Sequence, residues 1–426
     1  RLESEAFLDS LLGIPSRSGF ERVILRQQKR FPDSLLMLVD IDDFSSINST
    51  LDQHYGDDVL RAVCQRLQML MGDNSILGRI SGDCFGLVGP LSTIDSEAIL
   101  KAFDEPFDIH DSRLLISATC GVVKLNAEGA TTTATELLKD ANIALKQAKM
   151  FSRGKIQSYD VSLRKAAVDR IALLNGLREA FSARHLFLCY QPQIELSSGR
   201  VVGAEALLRW RNASGQFIPP DQFIPLAEQS GIIIPIGTWV LRTACMNTRQ
   251  MIDAGYTDFR MAVNVSHAQL RDPGFIPLLA EVMQEHGVPG QNLELELTES
   301  IAIDDLVFIN GLLASMREFG VSVALDDFGT GYSSLSLLSR LAVDRLKIDR
   351  AFTASLLEDA LDSQLAKVMV HLAQDFNLCC IAEGIESAEQ MSALDALGCN
   401  EGQGYHIARP MDFSALMTWM QAYEAR

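Results

Sequence analysis

Apolar and polar positions along the chain fall into two textures. From residue 35, "LLMLVD" reads as a strand, and the stretch near 56 to 71 carries the 3.6-residue spacing of a helix. "ILGRI" and "CFGLV" follow as a hairpin around "SGD", then a helix near 94 to 103, a strand near 113 to 124, and a helix from about 134 to 151. This order, β-α-β-β-α-β, predicts a ferredoxin-like α+β sandwich over residues 1–160.

After "RGKIQSYD" the stretch "VSLRKAAVDRIALLNGLREAF" has helical apolar spacing, so the domain junction is expected near residues 160 to 172, with a helical linker over 161–174. Over 175–426, β-rich runs alternate with helical patterns: "LFLCYQPQ", "RVVGAEALLRW", "FRMAVNVS", "NLELELTE", "VSVALDD", "VDRLKID", "NLCCIAEG". Such alternation predicts a mostly parallel sheet, open or closed. Glu205, Asn264, Glu296, Asp326, Lys347 and Glu383 each fall at or near the carboxyl end of a different predicted strand. A barrel gathers those ends on one face, whereas an open sheet spreads them, so a TIM-like (β/α)8 barrel is the expected form.

Composition narrows the partners. The 426 residues allow a small domain beside one barrel of TIM size, and an apolar share of 47% against 22% charged is a globular balance. With 37 basic and 55 acidic side chains, net charge -18, and no long basic block, a polymeric DNA or RNA partner is not expected. Eight cysteines include no CxxC pair, and Cys379 and Cys380 are adjacent in "NLCCIA", which reads as reduced core thiols of a cytosolic protein. No run reaches the roughly 18 apolar residues of a membrane span. The stretch is expected to be soluble and cytoplasmic. Because it begins at Arg1, an upstream sensor or membrane anchor is expected in the full-length protein.

The stretch "VALDDFGTGYSSL" sets Asp326 and Asp327 side by side at the end of an apolar run. Alone, "DDFG" reads as a solvated turn and "LELELTES" as an edge strand with alternating charge facing water. Together, Glu205, Glu296, Asp326, Asp327 and Glu383 would place five carboxylates in one cleft, which is unfavourable without cations. An oxygen-only set, with Asn264 adding a neutral amide oxygen, suits Mg²⁺ or Mn²⁺ better than zinc. If Asp326 bridges two ions about 3.5–4 Å apart, the adjacency of the aspartates is explained.

At this point the residues resemble a family. "EALLRW" (205 to 210), "NVS" (264 to 266), "ELTES" (296 to 300), "DDFGTGYSSL" (326 to 335), "LKIDRAF" (346 to 352), "AEGIES" (382 to 387) and "GQGYHIARPM" (402 to 411) resemble the successive motifs of EAL-type cyclic di-GMP phosphodiesterases. The resemblance implies that Glu205, Asn264, Glu296 and Asp326 hold one metal ion, and Asp326, Asp327 and Glu383 a second. It implies that Lys347 and Gln403 position the attacking water, and that Gln191, Leu208 and Arg209 hold the substrate. Glu299 would brace the loop from Phe328 to Ser334, and Glu386 would support Glu383. The implied reaction is in-line hydrolysis of cyclic di-GMP to linear pGpG by a two-metal mechanism. Barrels of this type pair, so a homodimer is expected, with the loop from Phe328 to Leu338 coupling the interface to the metals. Receptors of the family tend to lack metal ligands, and this chain lacks none, so an enzyme is favoured over a non-catalytic receptor.

"RISGDCFGLV" (79 to 88), after "LVDIDDFSSINS" (38 to 49) and "GDDVL" (56 to 60), resembles a GGDEF-type diguanylate cyclase domain whose signature is damaged. Ser81 replaces a glycine and Cys84 a glutamate, while Ser45 and Ser49 replace a lysine and an aspartate. A thiol is soft and mostly protonated at neutral pH, so it does not replace a carboxylate toward Mg²⁺ and cyclisation should be lost or very weak. Asp40 and Asp83 would still bind a cation, Asn48 and Asp57 match positions that read guanine, and Lys149 and Arg153 match phosphate contacts. The expectation is GTP binding without turnover, which raises hydrolysis in the other half if the two states differ in GTP affinity. The competing reading is a structural domain carrying relics. His406 and His267 are expected to be a packing or rim residue and a strand-end surface residue.

Overall fold

The structure, a computed structural model, describes residues 7–31, 33–51, 53–110, 112–125, 133–299, 305–329, 338–357 and 360–424. It separates into two compact units, Arg1–Ile171 and Ala172–Arg426.

In the first unit β1 (Ser34–Ile41) is buried along all eight residues, because it is central and covered on both faces. It pairs antiparallel with β3 (Cys84–Pro90) and β6 (Ala118–Leu125). Adding β2 (Ile76–Ser81) and β7 (Ile156–Ser158) gives the order β2-β3-β1-β6-β7. This is the sheet a β-α-β-β-α-β chain makes, extended by one strand. The period of two along β1 builds two cores. Met37 and Val39 pack with Val59, Val63 and Leu67 of the helix Gln53–Leu70. Leu36 and Leu38 pack with Leu137, Ala141 and Leu145 of the helix Ala134–Phe151.

The strand expected over 113 to 124 is two strands. β5 (Ser112–Leu114) hairpins with β4 (Phe107–Ile109), and β6 starts afresh. Between them Ser117 is engaged elsewhere: its carbonyl accepts from Asp42 N–H at 2.9 Å and its hydroxyl donates to Asp42 at 2.8 Å.

The second unit is a closed eight-stranded barrel. β9 (Val201–Arg211), β11 (Arg260–Asn264), β12 (Leu293–Thr298), β13 (Ser322–Phe328), β14 (Arg345–Ile348), β15 (Cys379–Ala382) and β16 (Glu401–Gly402) follow one another, and β8 (Leu186–Glu195) closes the ring between β16 and β9. A short β10 (Phe217–Ile218) lies outside, on β9. The barrel departs from an all-parallel one at β8, which runs antiparallel to both neighbours. The cause is the link to β9, residues 196–200, with Gly199 at φ 71°: it is long enough for a hairpin and too short for a crossover helix.

Along β12, Leu293, Leu295 and Leu297 join the apolar shell under the helices, while Glu294 and Glu296 alternate inward. Helices Ile233–Asp253, Phe275–His286, Leu306–Glu318, Ala360–Asp375 and Phe413–Glu424 contribute to that shell. Among the described residues no single helix is long and apolar enough to cross a membrane; Pro220–Ser230 and Ile233–Asp253 pass that test only together and are bent by 117°.

Candidate functional site: a carboxylate mouth on the barrel

Strand alternation stacks the polar residues of the barrel interior in two layers. The lower layer is Arg260, Glu294, Arg345 and Glu401. Arg260 lies 2.6 Å from Glu401 and 3.4 Å from Glu294; Arg345 lies 2.7 Å from Glu294 and also pairs with Glu401. Two or four residues further along the same strands come Asn264, Glu296, Lys347 and Gln403, joined by Glu205, Asp326 and Glu383. Most of these sit at or near the carboxyl ends of the parallel strands, where barrel enzymes keep their chemistry; Glu205, expected at a strand end, lies instead within β9, which runs on to Arg211 paired with β8 and β10.

Lys347, 1% exposed, is the hub of this upper layer. Its ammonium lies 2.7 Å from Glu383, 2.9 Å from Glu296, 3.1 Å from Asp326 and 3.7 Å from Glu205. Glu205 also accepts from Asn264 Nδ2 at 2.7 Å and from Gln403 Nε2 at 2.7 Å. Burial pushes Glu205 upward, but Lys347 and these donors outweigh it and hold the carboxyl below its ordinary value. Glu296 has the opposite fate, raised well above the usual range by burial and then by repulsion from Glu205. Burial, with Asp326 and Glu205 adding to it, pushes Glu383 up to about 8.

Asp326 and Asp327 join one carboxylate cluster because β13 bulges. Successive residues on a regular strand face opposite sides, yet the register with β14 shifts between Leu325 and Phe328, and Asp327 has φ 54°. The irregularity turns Asp327 toward Asp326 and Glu383, and ligand oxygens of the three lie within 4.8 Å of one another. Asp326 is buried, Glu383 half-buried and Asp327 exposed, so the cluster opens to solvent. Burial and then Asp326 raise Asp327. Gly384 (φ 69°) makes the turn after Glu383, where a Cβ would stand 2.5 Å from the Arg350 Cβ.

Two neighbouring depressions flank the carboxylates and share Leu207. One, about 260 Å³, is lined by Gln191, Glu205, Asp326, Glu383, Gln403 and Tyr405, with Arg350 and Glu386 also at its wall. The other, also about 260 Å³, is mostly apolar and holds Leu208, Arg209 and Asn264. The resemblance-derived substrate residues are thus divided, Gln191 in the first depression and Leu208 with Arg209 in the second. Glu299 is buried and accepts from Gly329 N–H at 3.4 Å; the loop it was expected to brace lies, from residue 330, outside the described residues. His406 and His267 are half-exposed or exposed and line neither depression.

Sequence reasoning missed the lower layer, Arg350 and Tyr405. The lower layer did leave a signal. Glu294 and Glu296, Arg345 and Lys347, and Glu401 and Gln403 are paired at i, i+2, and Arg260 with Asn264 at i, i+4, which on a strand means one shared face. The bland reading of "LELELTES" as a water-facing edge fails for the same reason: both glutamates are 1% exposed, facing the interior of a closed barrel.

In the first unit Asp40 stands directly across from Cys84 in the β1–β3 ladder. Lys149 pairs with Asp40, and Arg153 with Asp43 at 2.9 Å. Asp40 is raised by burial first, against the pull of Lys149, with Asp83 adding repulsion. Cys84 is buried, and burial drives its thiol far above the ordinary range, so it stays neutral. Asn48 is exposed beside Gly56, and Asp57 is half-exposed on the same helix as that glycine.

A barrel whose carboxyl end gathers carboxylates from four strands, with the aspartates turned together by a bulge, has the makings of a divalent-cation site. Residues 174–410 match the family model described as "EAL domain", and residues 6–155 that described as "Diguanylate cyclase, GGDEF domain". The chain belongs to the EAL domain family, with a GGDEF domain preceding the barrel. It is 34% identical, over 97% of its length, to the Bifunctional diguanylate cyclase/cyclic di-GMP phosphodiesterase MucR of Pseudomonas aeruginosa, of which it spans 61%. It is 33% identical, over 99% of its length, to the Cyclic di-GMP phosphodiesterase NbdA of the same organism, of which it spans 55%. A solved structure described as "PaMucR Phosphodiesterase, c-di-GMP complex" is 41% identical, covers 57% of this chain and 99% of that one, and superposes with a TM-score of 0.56.

Proposed function

We propose that the second unit hydrolyses cyclic di-GMP to linear pGpG with two Mg²⁺ or Mn²⁺ ions at the barrel mouth. The observation that carries this reading is the convergence of Asp326, Asp327 and Glu383 beside buried Glu205 and Glu296, with four of these five carboxylates paired to the ammonium of Lys347. Carboxylates raised by burial and mutual repulsion, as Glu296, Glu383 and Asp327 are, fit a site completed by hard cations. The names of the relatives and the ligand of the PaMucR structure support the choice of substrate.

Glu205, Asn264, Glu296 and Asp326 would hold one ion, and Asp326, Asp327 and Glu383 the other. When bound, such a pair acidifies water and neutralises charge on a phosphodiester. The chain does the rest. Gln403 fixes Glu205 by donation, and Lys347, paired with Glu383 and Asp326, would orient the attacking water. Gln191, Leu208 and Arg209 seat the dinucleotide across the two depressions, and Glu299 holds the backbone at Gly329. Water adds across one phosphorus–oxygen 3′ bond: its oxygen joins phosphorus and its proton goes to the leaving 3′ oxygen.

For the first unit the reading is GTP binding without cyclisation. Lys149, Arg153, Asp40, Asp83, Asn48 and Asp57 would form the nucleotide site, and neutral Cys84 removes one metal ligand. GTP would then act as an allosteric regulator, and the chain would work as a homodimer in the cytoplasm. One assay tests these readings: cyclic di-GMP turnover with Mg²⁺ or Mn²⁺, with EDTA, and with GTP added. The expected results are pGpG, loss with EDTA, and faster turnover with GTP. Tight binding without turnover would favour a receptor instead, and no GTP binding at millimolar nucleotide would end the regulatory reading.

A further inference from the structure

Below Glu205 an unbroken line of hydrogen bonds runs through the barrel interior. Arg260 Nη2 donates to Gln193 Oε1 at 3.3 Å, and Gln193 Nε2 donates to Gln403 Oε1 at 3.0 Å. Gln403 Nε2 then donates to Gln191 Oε1 at 3.0 Å and to Glu205 Oε2 at 2.7 Å. All five residues are buried, and Gln193 is 0% exposed.

The direction of this line is forced at its lower end. A guanidinium has donors only, so the oxygen of Gln193 must face Arg260 and its NH₂ must face Gln403. The oxygen of Gln403 must in turn face Gln193, which leaves its NH₂ for Glu205. Arg260 is itself held by Glu294 and Glu401, so the lower ion layer and the Glu205 carboxylate in the upper layer fix the same amide orientation from opposite ends. Both glutamines beside Gln403 come from the inverted strand β8, at i and i+2 on its inner face.

We infer that Gln193 is a positioning residue for the reaction proposed above: it locks the Gln403 amide in the orientation that donates to Glu205. This rests on the phosphodiesterase reading. Without Gln193 the Gln403 oxygen loses its buried donor, and the amide is fixed from one end alone, by the acceptors Glu205 and Gln191. The amide can then swing, and the donor it gives Glu205 is held less firmly.

The test compares Gln193→Met, Gln403→Met, the double variant and Gln193→Glu in the whole chain, by thermal unfolding and steady-state kinetics. Groups that orient a catalytic carboxylate cost about 10–100-fold when removed. Gln193→Met is expected to lower kcat within that range with little change in KM, and to have no further effect in the Gln403→Met background. Gln193→Glu keeps an acceptor for Arg260 but offers no donor to Gln403, so kcat should fall as far while folding is retained. Two outcomes overturn the inference with the functional reading intact: a Gln193→Met enzyme with parental kcat, or a loss of the same size whether or not Gln403 is present. A parent chain that leaves cyclic di-GMP uncut in Mg²⁺ or Mn²⁺ overturns that reading, and the inference with it.

Discussion

Lys347 on β14 reaches Glu296 on β12 at 2.9 Å, past the one strand between them, and both residues are about 1% exposed. The same ammonium touches Asp326 and Glu383, so the carboxylates are kept together by one internal cation. Lys347→Met removes it and leaves buried charges uncompensated. In EDTA the variant should lose about 3–5 kcal/mol of stability, and excess Mn²⁺ should return part of that while hydrolysis stays absent. Denaturant unfolding with and without Mn²⁺ measures both. A variant as stable as the parent in EDTA would mean that Lys347 is not what holds the layer.

Much of this mouth was legible beforehand, because strand ends in a parallel barrel share one face and polar residues there stand out against apolar runs. Asp327 beside Asp326 in the cleft was expected too, but not how the backbone brings it there. Alternation alone turns it away from Asp326, and only the bulge, which depends on pairing with β14, brings it back.

The bulge separates two contributions of Asp327, its charge and its tolerance of positive φ. Asparagine shares that tolerance, whereas a β-branched residue does not. Asp327→Asn should therefore unfold near the parental temperature in EDTA and bind Mn²⁺ more weakly. Asp327→Val should lose about 1–3 kcal/mol in addition. Titration of Mn²⁺ and thermal unfolding of the two variants resolve the difference. Equal stability of Asn and Val would show that the left-handed backbone carries no strain.

Cys84 marks a similar division in the first unit, where the fold was readable and the state of the site was not. Sequence gave the substitution; the ladder shows that residue 84 lies opposite Asp40, which Lys149 already neutralises. Cys84→Glu would place a second carboxylate across from Asp40, where like charges destabilise by roughly 0.2–1 kcal/mol and burial adds to the penalty. The variant should melt lower than the parent in EDTA, and Mg²⁺ should raise its melting temperature more than the parent's. An identical Mg²⁺ response would show that a glutamate there does not rebuild a cation site.

The lower ion layer explains a stability that depends on acid. Burial opposes ionisation of Glu401, yet Arg260 and Arg345 outweigh it and hold the carboxyl below its ordinary value of 4.5. A depressed folded-state value means that the pair contributes fully above the unfolded value and that the contribution fades as pH falls through the folded one. Glu401→Gln leaves both arginines short of a counter-charge and should cost about 3–5 kcal/mol at pH 7. As pH drops below 4.5 the parent carboxyl takes up its proton and comes to resemble the amide, so the two unfolding curves should converge. Urea unfolding at pH 7, 5, 4 and 3 follows the convergence. A gap that stays constant or widens toward pH 3 would show that Glu401 is not held ionised by its arginines.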